Sequence, residues 1–207
     1  GRPFGRYPRM SNIAVLVSGG GTNLQALIDA QGNVLQHGKI ELVISSKPDV
    51  YALQRAEKSG IDHCVIAKRD YITQEEFSTA LLKKLQSYQI DMIVLAGYLS
   101  ILDETIIRAY PDRIINIHPS LIPSFCGKGY YGLKVHEAAL EYGVKVTGAT
   151  VHLVNEIPDG GKILLQKAVD ILPSDTPEVL QQRVMEEAEW ILLPQATEMI
   201  AKEIEGK

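Results

Sequence analysis

Short, almost uninterrupted apolar runs separated by helical patterns constrain this chain more than any other feature. The runs are Ile13-Ala14-Val15-Leu16-Val17, Ile40-Glu41-Leu42-Val43-Ile44, Met92-Ile93-Val94-Leu95-Ala96 and the Ile114-Ile115 that leads into Asn116. A strand covered on both faces needs such a run, because neither face can carry polar side chains. His63-Cys64-Val65-Ile66 reads as a further strand. Between the strands, Leu24, Ala26, Leu27 and Ile28 recur at helical spacing, as do Phe77, Leu81, Leu82 and Leu85 within Thr73 to Ser87. Ala52 to Lys58 and Leu102 to Ala109 read as shorter helices, and Thr73 with Glu76 resembles a capping box. Strand and helix in alternation predict an α/β fold with a doubly wound, mostly parallel, Rossmann-like sheet.

The C-terminal part reads differently. Lys145 to Val154 alternates, with Thr150 and His152 facing one way and Val151 and Leu153 the other. Asp159-Gly160-Gly161 has the composition of a hairpin turn, and Ile163-Leu164-Leu165-Gln166 is the returning strand. These form an antiparallel C-terminal edge. A helix from about Leu133 to Glu141 precedes them and carries His136, read as a surface or packing histidine. A long helix from Thr176 closes the chain, with Val179, Leu180, Val184, Ile191 and Leu192 on its apolar side and Trp190 packed. There are no repeats or linkers, so residues 10–207 read as one domain. Residues 1–9, rich in Arg, Pro and Gly, read as a foreign, poorly ordered leader ahead of Met10.

Ligands of such sheets bind where strands end. After the first strand comes Ser18-Gly19-Gly20-Gly21-Thr22-Asn23, opening a helix. Glycines let backbone N–H groups approach an anion at a helix N-terminus, and Thr22 and Asn23 add side-chain donors and candidate caps. No Lys precedes a Ser or Thr at the loop's end, and Leu24 stands where a dinucleotide motif needs its third Gly. A phosphate fits; ATP and NAD are not indicated. Asn116-Ile117-His118-Pro119 ends the fifth strand, since Pro119 and Pro123 forbid its continuation. Asn116 and His118 share a face there. A neutral N–H donor beside an imidazole suits a reaction in which a carbonyl oxygen becomes negative while an amine loses a proton.

A net charge of -4 excludes the basic field of a nucleic-acid binder, and no apolar run is long enough for a membrane span. Cys64 and Cys126 lack metal or redox spacing and read as reduced thiols in a cytoplasmic protein. Cys126 lies in the loop after His118, but no neighbour in sequence marks it as an activated nucleophile.

Five segments resemble the glycinamide ribonucleotide (GAR) transformylases, the folate-dependent formyltransferases of purine synthesis. They are Ser18-Gly-Gly-Gly-Thr-Asn-Leu-Gln-Ala26, Leu95-Ala-Gly-Tyr98, Asn116-Ile-His-Pro-Ser-Leu-Ile-Pro123, Thr147-Gly-Ala-Thr-Val-His-Leu-Val154 and Asp159-Gly-Gly161, in the family's order and spacing. The resemblance implies a catalytic trio of Asn116, His118 and Asp159, with Asp159 orienting His118. It implies phosphate binding by Gly20, Gly21, Thr22 and Asn23, and ribose contact by Glu189. It places the folate cofactor, 10-formyltetrahydrofolate, against Leu99, Ser100, Ile101, Leu102 and Asn116, and requires no metal. The implied partners are small molecules, GAR and folate, with no nucleic acid and no membrane, and the protein a monomer or homodimer. The chain departs from familiar members at Ser100, where they carry Arg, and in a longer flap from Phe125 to Tyr131, whose glycines suggest mobility. The alternatives on these residues are a 10-formyltetrahydrofolate hydrolase, a formyltransferase acting on another amine, and a non-enzymatic ligand-binding module.

Overall fold

In the computed structural model, which describes residues 9–206, β1 (Ser11–Val17) is the centre of the sheet. Its interior is fully buried from Ile13 to Val17. It pairs in parallel with β2 (Gly38–Ser45) on one side and β4 (Met92–Leu95) on the other. β3 (Asp62–Val65) lies outside β2, and β5 (Ile114–His118) outside β4, both parallel. β6 (Val146–Leu153) and β7 (Ile163–Asp170) complete the order β3-β2-β1-β4-β5-β6-β7 as antiparallel strands. The chain winds outward from β1 to β3, then crosses back to β4. That reversal opens a crevice at the carboxyl ends of β1 and β4.

Period-two alternation splits the strands between two helical layers. Ile13, Val15, Val17, Val94, Ile115 and Ile117 face α1 (Thr22–Ala30), α2 (Tyr51–Lys58), α6 (Pro177–Val184) and α7 (Trp190–Glu205). Ala14, Leu16, Ile93, Leu95 and Ile114 face α3 (Gln74–Ser87) and α4 (Glu104–Ala109). α5 (Leu133–Tyr142) covers the strand ends and packs on α6.

Several expectations require correction. The last helix is not a regular α-helix throughout: α6 runs into α7 through a wide, π-helical turn at Met185–Glu189. Its apolar stripe runs through Leu180, Val184, Ala188, Leu192 and Leu193, whereas Val179 and Ile191 are exposed. β7 runs on past Gln166 to Asp170, because an edge strand can carry Lys167 and Asp170 outward. α4 starts at Glu104, where the Asp103 carboxylate accepts the Thr105 N–H at 3.0 Å, so Leu102 precedes the helix and packs in the core with Ile106. The Thr73 hydroxyl caps α3 at the Glu76 N–H, but Glu76 takes the N–H of Ile72 rather than completing a reciprocal box. The leader reading falls, but for Arg9, outside the described residues.

Candidate active site

The antiparallel register of β5 and β6 sets Asn116 opposite His152 and His118 opposite Thr150. The turn between β6 and β7 then brings Asp159 over the same face. Gly161 makes this approach possible, since a Cβ there would collide with the Leu153 carbonyl. Asp159 itself has φ 53°, a left-handed conformation that Asp adopts more readily than most residues.

These side chains form one network. The Asn116 amide donates to Asp159 Oδ1 at 3.3 Å and lies 3.1 Å from His152 Nε2. Asp159 Oδ1 is 3.3 Å from His152 Nε2, and Oδ2 is 3.7 Å from His118 Nδ1. The expected trio is therefore assembled, but Asp159 sits closer to His152 than to His118. His118 Nε2 donates to the Phe125 carbonyl at 2.8 Å, and His152 Nδ1 to the Leu153 carbonyl at 2.8 Å. A carbonyl only accepts, so these contacts assign the proton to those nitrogens. His118 Nδ1 is left facing the carboxylate, and His152 Nε2 lies beside both the Asn116 amide and Asp159 Oδ1. Burial pushes the Asp159 carboxyl up, but hydrogen bonds from His152 and the Gly127 N–H, with the charge of both histidines, bring it below its ordinary value. Flap backbone at Phe125 and Gly127 thus braces both His118 and Asp159.

A cavity of about 290 Å³ opens beside this network. The glycine loop forms one wall, Ile117 and Pro119 the strand-end floor, and His136, Met185 and Glu189 the helical side. Gly21, at φ 78°, is the residue before α1, and neither Thr22 nor Asn23 caps that helix as expected. The Asn23 amide instead donates to Glu189 Oε1 at 3.1 Å, leaving Asn23 Oδ1 and Glu189 Oε2 buried without partners. Two unpaired acceptors match the hydroxyl donors of a sugar. The wide turn before α7 carries Glu189 to this wall, and π turns are frequent at functional sites.

Burial pushes the Glu189 carboxyl up to about 7, against the Asn23 hydrogen bond. An acid whose folded value lies above its unfolded value binds more protons folded than unfolded between the two. Stability therefore falls as pH rises from about 4.5 to about 7. Glu189→Gln is expected to raise stability at pH 8 by on the order of 3 kcal/mol and by far less at pH 4. Denaturant titrations at both pH values measure this; equal gains would mean that ionisation of Glu189 is not the cause.

The proposed folate surface is split. Leu99 and Ile101 are exposed beyond β4, Ser100 is half-buried, and Leu102 lies in the core with little surface for a ligand. The Leu99 N–H donates to Ser18 Oγ at 2.8 Å, tying this loop to the glycine loop. Burial, with the charge of Asp159, pushes the Cys126 thiol up, opposite to an activated nucleophile. Sequence reasoning missed His152, His136, Ser18 and the bracing carbonyl of Phe125. The alternation placing His152 beside Thr150 was the one available signal. Among the described residues, no group of three or more His, Cys, Asp or Glu is arranged to hold a metal ion, and no helix is long and apolar enough to cross a membrane.

A sequence profile of the formyl transferase family matches residues 11–197. The chain is 43% identical, over 93% of its length, to the trifunctional purine biosynthetic protein adenosine-3 of Drosophila melanogaster, of which it spans 14%. It is 43% identical, over 86% of its length, to phosphoribosylglycinamide formyltransferase of Haemophilus influenzae, spanning 82% of that protein. The crystal structure of glycinamide ribonucleotide transformylase 1 from Symbiobacterium toebii matches with a TM-score of 0.87 at 41% identity, covering 94% of this chain and 89% of that one. The chain spans under two thirds of several curated relatives, from 14% to 62% of their lengths.

Proposed function

The chain belongs to the formyl transferase family, and on that premise we propose that it transfers a formyl group from 10-formyltetrahydrofolate to the amine of GAR, as one domain over residues 10–207. The products are formyl-GAR and tetrahydrofolate, a step of purine synthesis, and the setting is the cytoplasm. The observation that carries this reading is that Asn116, His118 and Asp159 meet at the end of β5, whose Ile117 and following Pro119 line the cavity of the glycine loop.

In this reading the phosphate of GAR takes the N-terminus of α1, where the glycine loop and the helix dipole favour an anion. The sugar hydroxyls meet Glu189 and Asn23. The folate lies along exposed Leu99 and Ile101, so its formyl group reaches Asn116 and His118. As the amine attacks the formyl carbon, the carbonyl oxygen becomes negative. The Asn116 amide, held beside His152, turns an N–H from Asp159 to that oxygen, and protonated Nδ1 of His118 donates to it as well. Asp159 supplies the counter-charge. The proton lost by the attacking nitrogen passes to the leaving folate nitrogen as the tetrahedral intermediate collapses.

Transfer and hydrolysis need the same oxyanion site; the nucleophile separates them. Binding energy from the remote phosphate is used to position the amine. Folate product formation, followed by absorbance, is expected to be slow alone, to rise by orders of magnitude with GAR, and to respond weakly to glycinamide without its ribose phosphate. Rapid formate release that GAR leaves unchanged would assign the protein to the hydrolases, and ligand binding without any turnover to the binding modules.

A further inference from the structure

His136 has no part in the chemistry above, yet it is 1% exposed and lines the same cavity. Neither Nδ1 nor Nε2 has a hydrogen-bond partner among the described residues. Protein interiors seldom leave a buried polar side chain unpaired, because the cost is about 1–3 kcal/mol. If packing of α5 against α6 were the only demand, a Leu would meet it without that cost. Burial, and then the nearby His118, push this imidazole down to about 4, so near neutral pH it is uncharged and offers one N–H and one lone pair. Asn23 Oδ1 and Glu189 Oε2 are buried and unpaired on the same cavity. A carboxylate among these groups disfavours phosphate, which the glycine loop accommodates instead.

We propose that His136 is a specificity-determining residue that hydrogen-bonds the uncharged carboxamide and ribosyl segment of the amine substrate, donating through one ring nitrogen and accepting through the other. A neutral imidazole complements that segment because carboxamide and sugar each present both donors and acceptors. A protonated imidazole or a Lys would offer donors only. The proposal rests on the reading of GAR as substrate.

The test compares His136→Leu and His136→Gln with the wild type in thermal unfolding, in GAR calorimetry and in steady-state kinetics. His136→Leu is expected to leave the melting temperature unchanged or raise it, since the unpaired groups are gone. It should raise the Kd and KM for GAR about tenfold, with kcat little changed. His136→Gln, which keeps a donor and an acceptor, should recover part of that loss. Unchanged GAR affinity in both variants, or affinity that only follows the melting temperature, overturns the proposal and makes His136 a packing residue. A wild-type protein that does not bind GAR overturns the formyl-transfer reading, and this proposal with it.

Discussion

His118→Ala is expected to lower turnover roughly a hundred-fold or more while GAR affinity stays near wild type. His118 ends β5 with Nε2 held by the Phe125 carbonyl and Nδ1 turned toward Asp159. In the proposed mechanism its contribution arises when the formyl oxygen becomes negative, so the loss belongs to kcat rather than to substrate binding. The walls proposed for the phosphate and the sugar lie on the glycine loop and the last helices, and the substitution leaves them intact. Asn116→Ala removes the other donor and should fall in the same range. Asp159→Asn should also lose turnover, because it removes the negative charge facing His118 while still offering the Gly127 N–H an acceptor. The measurement is turnover at saturating GAR and folate, with calorimetry on the same preparations. Near-wild-type turnover in folded His118→Ala would refute the oxyanion mechanism.

Gly20→Glu is expected to weaken GAR binding by roughly a hundred-fold or more, since a carboxylate facing the phosphate costs several kcal/mol. The structure separates this effect from folding. A Cβ on Gly20 meets nothing within 4 Å, and Gly20 is not among the positive-φ glycines. Gly21 is the opposite case: its φ is 78°, and an added Cβ would stand 2.7 Å from the Ala52 Cβ. Gly21→Glu should therefore fail to fold, and Gly20→Glu should fold and lose its ligand. Folate affinity should survive in Gly20→Glu, because Leu99 and Ile101 stand on a different loop. Calorimetry with each ligand decides; equal GAR affinity in variant and wild type would locate the phosphate elsewhere.

The inner strands were legible because burial on both faces leaves them no polar residues, as in β1 and β4. β7 was legible only in part, since its outer half faces solvent and carries Lys167 and Asp170. Asn116 and His118 were legible from Pro119, which ends the strand beneath them. Asp159 read locally as a turn residue, and only the family resemblance gave it a role. Its position depends on the β6–β7 connection approaching β6 at Gly161, which is not a local property. His152 was correctly placed on a face, but its partner across β5 follows from a register between segments far apart in sequence. His136 gave no signal, because its burial follows from how α5 packs rather than from its own neighbours in the chain. Ile191 was misplaced because a regular helical period was extended through a turn that does not obey it, whereas Val179 lies ahead of that turn, exposed in the first turn of α6.

That turn also sets a limit on redesign. An α-helix rotates about 100° per residue, so the widened segment at Met185–Glu189 shifts everything after it relative to what precedes it. Leu180 and Val184 on one side, and Leu192 and Ala196 on the other, stay buried together only because the shift is present. A one-residue deletion that regularised the segment would swing either Glu189 away from the cavity or the α7 stripe away from β1. Transplanting Glu189 onto an ideal helix would therefore require a new core as well as the carboxylate.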